Sequence, residues 1–160
     1  MMLFALTLTS MTFCVKAFDP EGLFSFLDGY YSALQLENDV KALHPCIEEY
    51  IGNRWDAFFN ELVNVEWNNA IQVALAFTKI IEPALGSLSM VRLCDKEEID
   101  ILYRQVSNAV QDMEKFKNRV FSQIWLISSS LRQIVQLINA KDYEVAGRTA
   151  GGLIYVTFTN

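Results

Sequence analysis

His44 and Cys46 are the two side chains that come nearest to a reactive pair in this sequence. An imidazole beside a thiol can take its proton and leave a nucleophilic thiolate. Here the two stand either side of Pro45, and the sulfur is expected to be tied up in a disulfide with Cys94. His44 is the single histidine of the chain, so a mechanism or metal site that needs two imidazoles is excluded within one molecule. The paired Glu-x-x-His motifs of a di-iron bundle are absent. So are a Gly-x-Ser-x-Gly nucleophile turn and a glycine-rich phosphate loop. Glu48-Glu49 and the acids between Asp95 and Asp100 are clusters of carboxylates, and a solvated helix start explains them more simply than a metal or acid/base pair. The expectation is a noncatalytic protein with no cofactor and no metal.

The cysteines carry the one covalent expectation. Met1 to Val15 is mostly apolar and carries no charged side chain, and Val15-Lys16-Ala17 places small or aliphatic residues at the positions a secretory peptidase reads. Residues 1–17 therefore read as a signal cleaved after Ala17, with residues 18–160 as one domain. A buried N-terminal helix or a retained anchor is the alternative, but some fifteen apolar residues fall short of the ~20 that span a bilayer. No arginine precedes Arg54, which argues against a mitochondrial presequence. Cleavage removes Cys14 and Lys16 and leaves Cys46 and Cys94, an even pair bound for an oxidising compartment. A bridge closing that loop contributes ~4 kcal/mol in the chain-entropy view.

These residues need elements to hold them, and the pattern is helical. The chain has 160 residues, of which 52% are hydrophobic, 12% aromatic and 20% charged, enough for a core and for one domain. Three prolines and seven glycines are few for a sandwich of tight turns. Asp19-Pro20-Glu21 marks a helix start: a capping carboxylate, a proline in the first turn, and an acid at the positive dipole end. Leu23, Leu27, Tyr30, Tyr31 and Leu34 follow on one stripe. Pro45 opens a second helix through Trp55, Phe58, Phe59 and Leu62, and the pattern continues through Trp67, Ile71, Leu75 and Ile80. A break is expected near Gly52-Asn53 or Asn68-Asn69, and another at Pro83 and Gly86. Asp95 and Glu98 form a capping-box-like pair. Ile99 through Phe116 and Val120 through Ile138 repeat at helical steps, with a turn expected at Lys117-Asn118-Arg119. Asp142 caps a last helix with Val145, Ala146, Thr149, Leu153 and Val156 on one face, although Leu153 to Phe158 is also rich in strand-forming residues. The expected fold is all-α, a bundle of five to seven helices around one core with one disulfide.

Gly147 and Gly151 stand one turn apart, a spacing that lets two helices approach closely. Packing within the chain is the plain reading, and assembly between chains the other. The eleven Phe, six Tyr and three Trp fill a core or line an apolar cavity. The chain is acidic, with formal net charge −6 and no basic run, so nucleic acid is excluded as a partner class. No internal apolar run is expected to span a membrane: Ala70 to Ile81 is short, and Val120 to Ile138 carries Gln123, Arg132, Gln133 and Gln136.

Phe26-x-x-Gly29-Tyr30, the single Cys46 and Cys94, and the closing Asp142-Tyr143-x-x-x-Gly147-x-x-x-Gly151 resemble small secreted helical proteins of ciliates. The resemblance implies a helical protein of the secretory route and carries no catalytic residues. Two functions compete. One is a secreted structural or protein-interaction module that self-associates or joins a larger complex. The other is a carrier holding a lipid or similar apolar ligand in a bundle cavity. A filled core beside an exposed apolar face favours the first, and a large internal cavity the second.

Overall fold

The computed structural model describes residues 18–34, 49–93 and 97–159. The segment 1–17, His44, Pro45, Cys46, Glu48, Cys94 and Asp95 lie outside the described residues. So, therefore, do the signal, the disulfide and the Asp95–Glu98 capping pair.

Seven helices and no strand make up the described residues: α1 (Pro20–Ala33), α2 (Glu49–Leu62), α3 (Ala70–Leu93), α4 (Glu97–Gln111), α5 (Met113–Ser122), α6 (Ile124–Asn139) and α7 (Tyr143–Thr159). α1 begins where the sequence marks it. The Asp19 carboxylate accepts from the Gly22 amide at 2.6 Å, satisfying one of the four amides a helix start leaves open. α2 ends before 63–69, and Asn69 opens α3 by accepting from the Ile71 and Gln72 amides at 3.1 and 3.3 Å. Asn68-Asn69 is thus the break between them, whereas Gly52-Asn53 lies inside α2.

Two expected boundaries are corrected. α3 runs straight through Pro83 and Gly86. A proline inside a helix removes one hydrogen bond and strains the turn before it, by ~3 kcal/mol. Here α1 and α2 bind the turn that follows, Pro83–Ser87, from outside. The Ser87 hydroxyl donates to the Pro83 carbonyl at 2.8 Å and accepts from Trp55 Nε1 at 3.0 Å. Tyr31 donates to the Ser87 carbonyl at 2.8 Å, and Tyr30 to the Ala84 carbonyl at 3.4 Å. Because α3 does not stop, Ala70–Ser89 is long and apolar enough to cross a membrane by length and composition, but 56% of it is buried in the bundle. The expected turn at Lys117-Asn118-Arg119 is helix instead. The chain breaks at Asp112 and again at Gln123. Asp112 restarts the helix by accepting from the Lys115 amide at 3.2 Å while pairing with its ammonium at 2.9 Å.

The segment Leu153–Phe158 is helical, in α7. Its buried face differs from the expected one. Ala146, Gly147, Ala150, Gly151, Leu153, Ile154, Thr157 and Phe158 point inward, while Val145 and Val156 are exposed. α6 hands over to α7 through Lys141, whose φ of 58° ends α6 in a left-handed residue. The Asp142 amide reaches the Leu137 carbonyl and the Lys141 amide the Ile138 carbonyl, a Schellman closure made without glycine.

α1 and α7 form the closest pair. Gly22 faces Tyr143, Phe26 faces Gly147 and Tyr30 faces Gly151, so both sequences advance together and the helices are parallel. α2 and α3 are antiparallel neighbours, matched at Arg54–Glu82 (3.0 Å), Trp55–Ser87 (3.0 Å) and Lys79–Glu61 (3.4 Å). Between the two pairs lies an aromatic core: Trp55 is ringed by Phe26, Tyr30, Phe58 and Phe59 with centroids 4.7–6.0 Å away. A second stack, Phe77–Phe158–Phe116, joins α3, α7 and α5.

Candidate functional site

α5 and α6 bury one continuous stripe across their break: Phe116, Val120, Ile127, Leu131, Ile134 and Ile138, at steps of three, four or seven. Both helices therefore turn the same outer side to solvent. On that side stand Phe121, Trp125 and Leu126, exposed by 49%, 85% and 44%. Trp125 follows Ile124 and falls off the buried stripe by one position. That offset is the sequence signal that distinguishes it from the core aromatics, and reading all aromatics as core or cavity residues missed it.

The junction is firmly held beneath these side chains. Arg119 donates to the Thr157 carbonyl at 2.9 Å, and Gln123 Oε1 accepts from the Thr157 hydroxyl at 3.5 Å. Both contacts tie the α5–α6 break to the end of α7. Further along α6, the Arg132 guanidinium lies 5.8 Å from the Trp67 ring centroid. Arg132 is the one charged residue between positions 120 and 140, in a chain where 20% of residues are charged. The outer face of α6 continues through Ser129, Gln133 and Gln136, all exposed and uncharged. This face thus has an aromatic centre, an uncharged polar rim and one arginine.

Among the sequence-selected residues, Gly147 and Gly151 lie in the α1–α7 crossing. A Cβ on Gly147 would strike the Phe26 carbonyl oxygen, and one on Gly151 the Tyr30 carbonyl oxygen. Gly29 completes the set from α1, since a Cβ there would strike the Glu144 carbonyl. The stripe Gly22, Phe26, Gly29, Ala33 at steps of four and three is its sequence signature. Of the acidic cluster after Cys94, Asp100 pairs with Arg104 at 2.7 Å. Among the described residues no group of three or more His, Cys, Asp or Glu side chains could hold a metal ion.

The buried hydroxyls form the other polar assembly. Burial pushes the Tyr30 phenol well above its ordinary pKa, with the neighbouring Tyr31 adding to the rise. Burial also raises Tyr31, against the lowering effect of its contact with Ser87. Both stay protonated donors, which suits holding the proline turn of α3 rather than moving protons.

No protein-family model, curated protein or solved structure matches this chain.

Proposed function

We propose that this chain is a noncatalytic secreted helical protein that acts as a structural or protein-interaction module, self-association included. The outer face of α5–α6, with Trp125 at its centre, is the observation that carries this reading. A single exposed apolar residue needs no explanation, but three large ones around a charge-poor helix face do. The aromatic rings of the core pack on one another at contact distance, which favours contact with a partner over carriage of an apolar ligand.

The secretory part of the reading rests on the apolar segment 1–17 and on Cys46 and Cys94 as a disulfide, in keeping with the resemblance to secreted ciliate proteins.

Native mass spectrometry of the full chain expressed through a secretory route tests the reading. We expect protein without residues 1–17, two hydrogens lighter than its reduced form, and in complexes that Trp125→Ser removes. Trp125→Ser should leave helix content and the unfolding midpoint unchanged, because the side chain is 85% exposed. A wild-type mass carrying bound lipid, unaffected by Trp125→Ser, would favour the carrier instead.

A further inference from the structure

Phe18 is the residue that follows the expected cleavage point, and its surroundings suit a free terminus. Its ring is 6% exposed. It packs against Phe26, Phe59 and Tyr143 with centroids 5.2, 5.3 and 5.5 Å away, so three helices fix its position. That anchorage holds the Phe18 backbone nitrogen 3.3 Å from Asp56 Oδ1 on α2, in a partly buried contact. In the uncleaved chain this nitrogen is a neutral amide with one hydrogen to give.

We propose that the Ala17–Phe18 bond is a processing site whose product docks in place: the new α-ammonium of Phe18 forms an ion pair with the Asp56 carboxylate. The proposal rests on the secretory reading above. Hydrolysis breaks the bond between the Ala17 carbonyl carbon and the Phe18 nitrogen, with water as co-reactant and an endopeptidase of the secretory route as catalyst. Hydroxide goes to the Ala17 carboxyl and a proton to the nitrogen, which takes up a second proton at neutral pH. A neutral hydrogen bond thereby becomes a charge-assisted one, shorter and stronger.

The opposing effect is the α1 dipole, whose positive end lies at Asp19–Pro20 and disfavours a cation. Asp19 and Glu21 stand in the same turn and counter it, while the Asp19 carboxylate is engaged by the Gly22 amide. Asp56 is thus the carboxylate that faces the new charge from a different helix. Processing would strengthen a tie between Phe18 and α2 that the uncleaved chain already makes with a neutral amide.

The test uses the full chain secreted from cells, alongside Asp56→Asn and a variant with one glycine inserted between Ala17 and Phe18. The insertion moves the ammonium by about 3.5 Å. Terminal sequencing should find Phe18 first. Secreted protein that begins elsewhere overturns the proposal and leaves secretion standing, whereas retained protein that begins at Met1 overturns both. With Phe18 first, an amine-reactive ester should label its α-amine ~10-fold more slowly than in Asp56→Asn or in the glycine-extended chain. Asp56→Asn should raise the unfolding constant ~10-fold on the native terminus and under twofold on the extended one. Equal labelling rates, or an equal cost of Asp56→Asn on both termini, would overturn the ion pair while leaving secretion intact.

Discussion

The Tyr31 hydroxyl donates to the Ser87 carbonyl, and its burial makes the folded protein hold the phenolic proton more tightly than the unfolded chain does. The linkage has a definite sign. A group whose folded pKa is raised contributes stability that is fully present below its unfolded pKa, about 10 for tyrosine, and loses it as pH rises beyond. Tyr30 is shifted the same way. Stability should therefore fall above pH ~10, and Tyr31→Phe should fall less steeply because it has one fewer proton to lose. Urea midpoints of both proteins at pH 8, 10 and 11 check this. The gap between them should narrow from pH 8 to 11, and a constant gap would show that Tyr31 is not held in its protonated form. Little at this scale was legible beforehand. Tyr30 and Tyr31 were readable as inward residues of α1, but Ser87 is one hydroxyl among many until Pro83 and Trp55 give it two partners.

Elements were more readable than their ends. Asp19-Pro20 and Asn68-Asn69 mark helix boundaries by local chemistry alone, and the structure uses both. Asp112 was hidden because the apolar stripe passes through it unbroken, so periodicity reports a single face whether or not the backbone stops there. Pro83 misled for the opposite reason: the local signal says stop, and contacts from α1 and α2 overrule it. The α1–α7 pair shows how glycines divide by what surrounds them. Gly147 has the Phe26 carbonyl where its Cβ would be, whereas Gly152 in the same helix has nothing within 4 Å. Gly147→Ala should force the two backbones apart and cost ~1–3 kcal/mol. Gly152→Ala should stabilise by up to ~1 kcal/mol, since it only relieves the chain entropy of a helical glycine. Thermal or urea unfolding of the two variants separates the effects. The same sign for both would mean that α1 and α7 are not in contact through Gly147.

At the scale of the whole molecule, charge decides how this protein can meet its own kind. The chain carries net charge −6, and −7 once a segment containing Lys16 is removed, so two copies repel at a distance. They can approach only where charge is locally sparse, and positions 120–140 carry Arg132 alone. That region also bears Trp125, Phe121 and Leu126. Composition already contained the charge gap. The exposure of Trp125 needed the structure, because an aromatic residue next to a buried stripe falls inside or outside according to a single residue of phase. If self-association uses this face, its attraction is apolar and the electrostatic part is purely repulsive. Screening should then strengthen it. Between 0.01 and 0.1 M salt the Debye length falls from ~30 to ~10 Å. The dimer dissociation constant measured by sedimentation should fall several-fold over that range, and Trp125→Ser should weaken association at every salt concentration. An interface held by ion pairs would respond the other way, weakening as salt rises. That result would move the contact away from α6 and onto the charged surfaces, such as the exposed Glu61–Lys79 pair that joins α2 to α3.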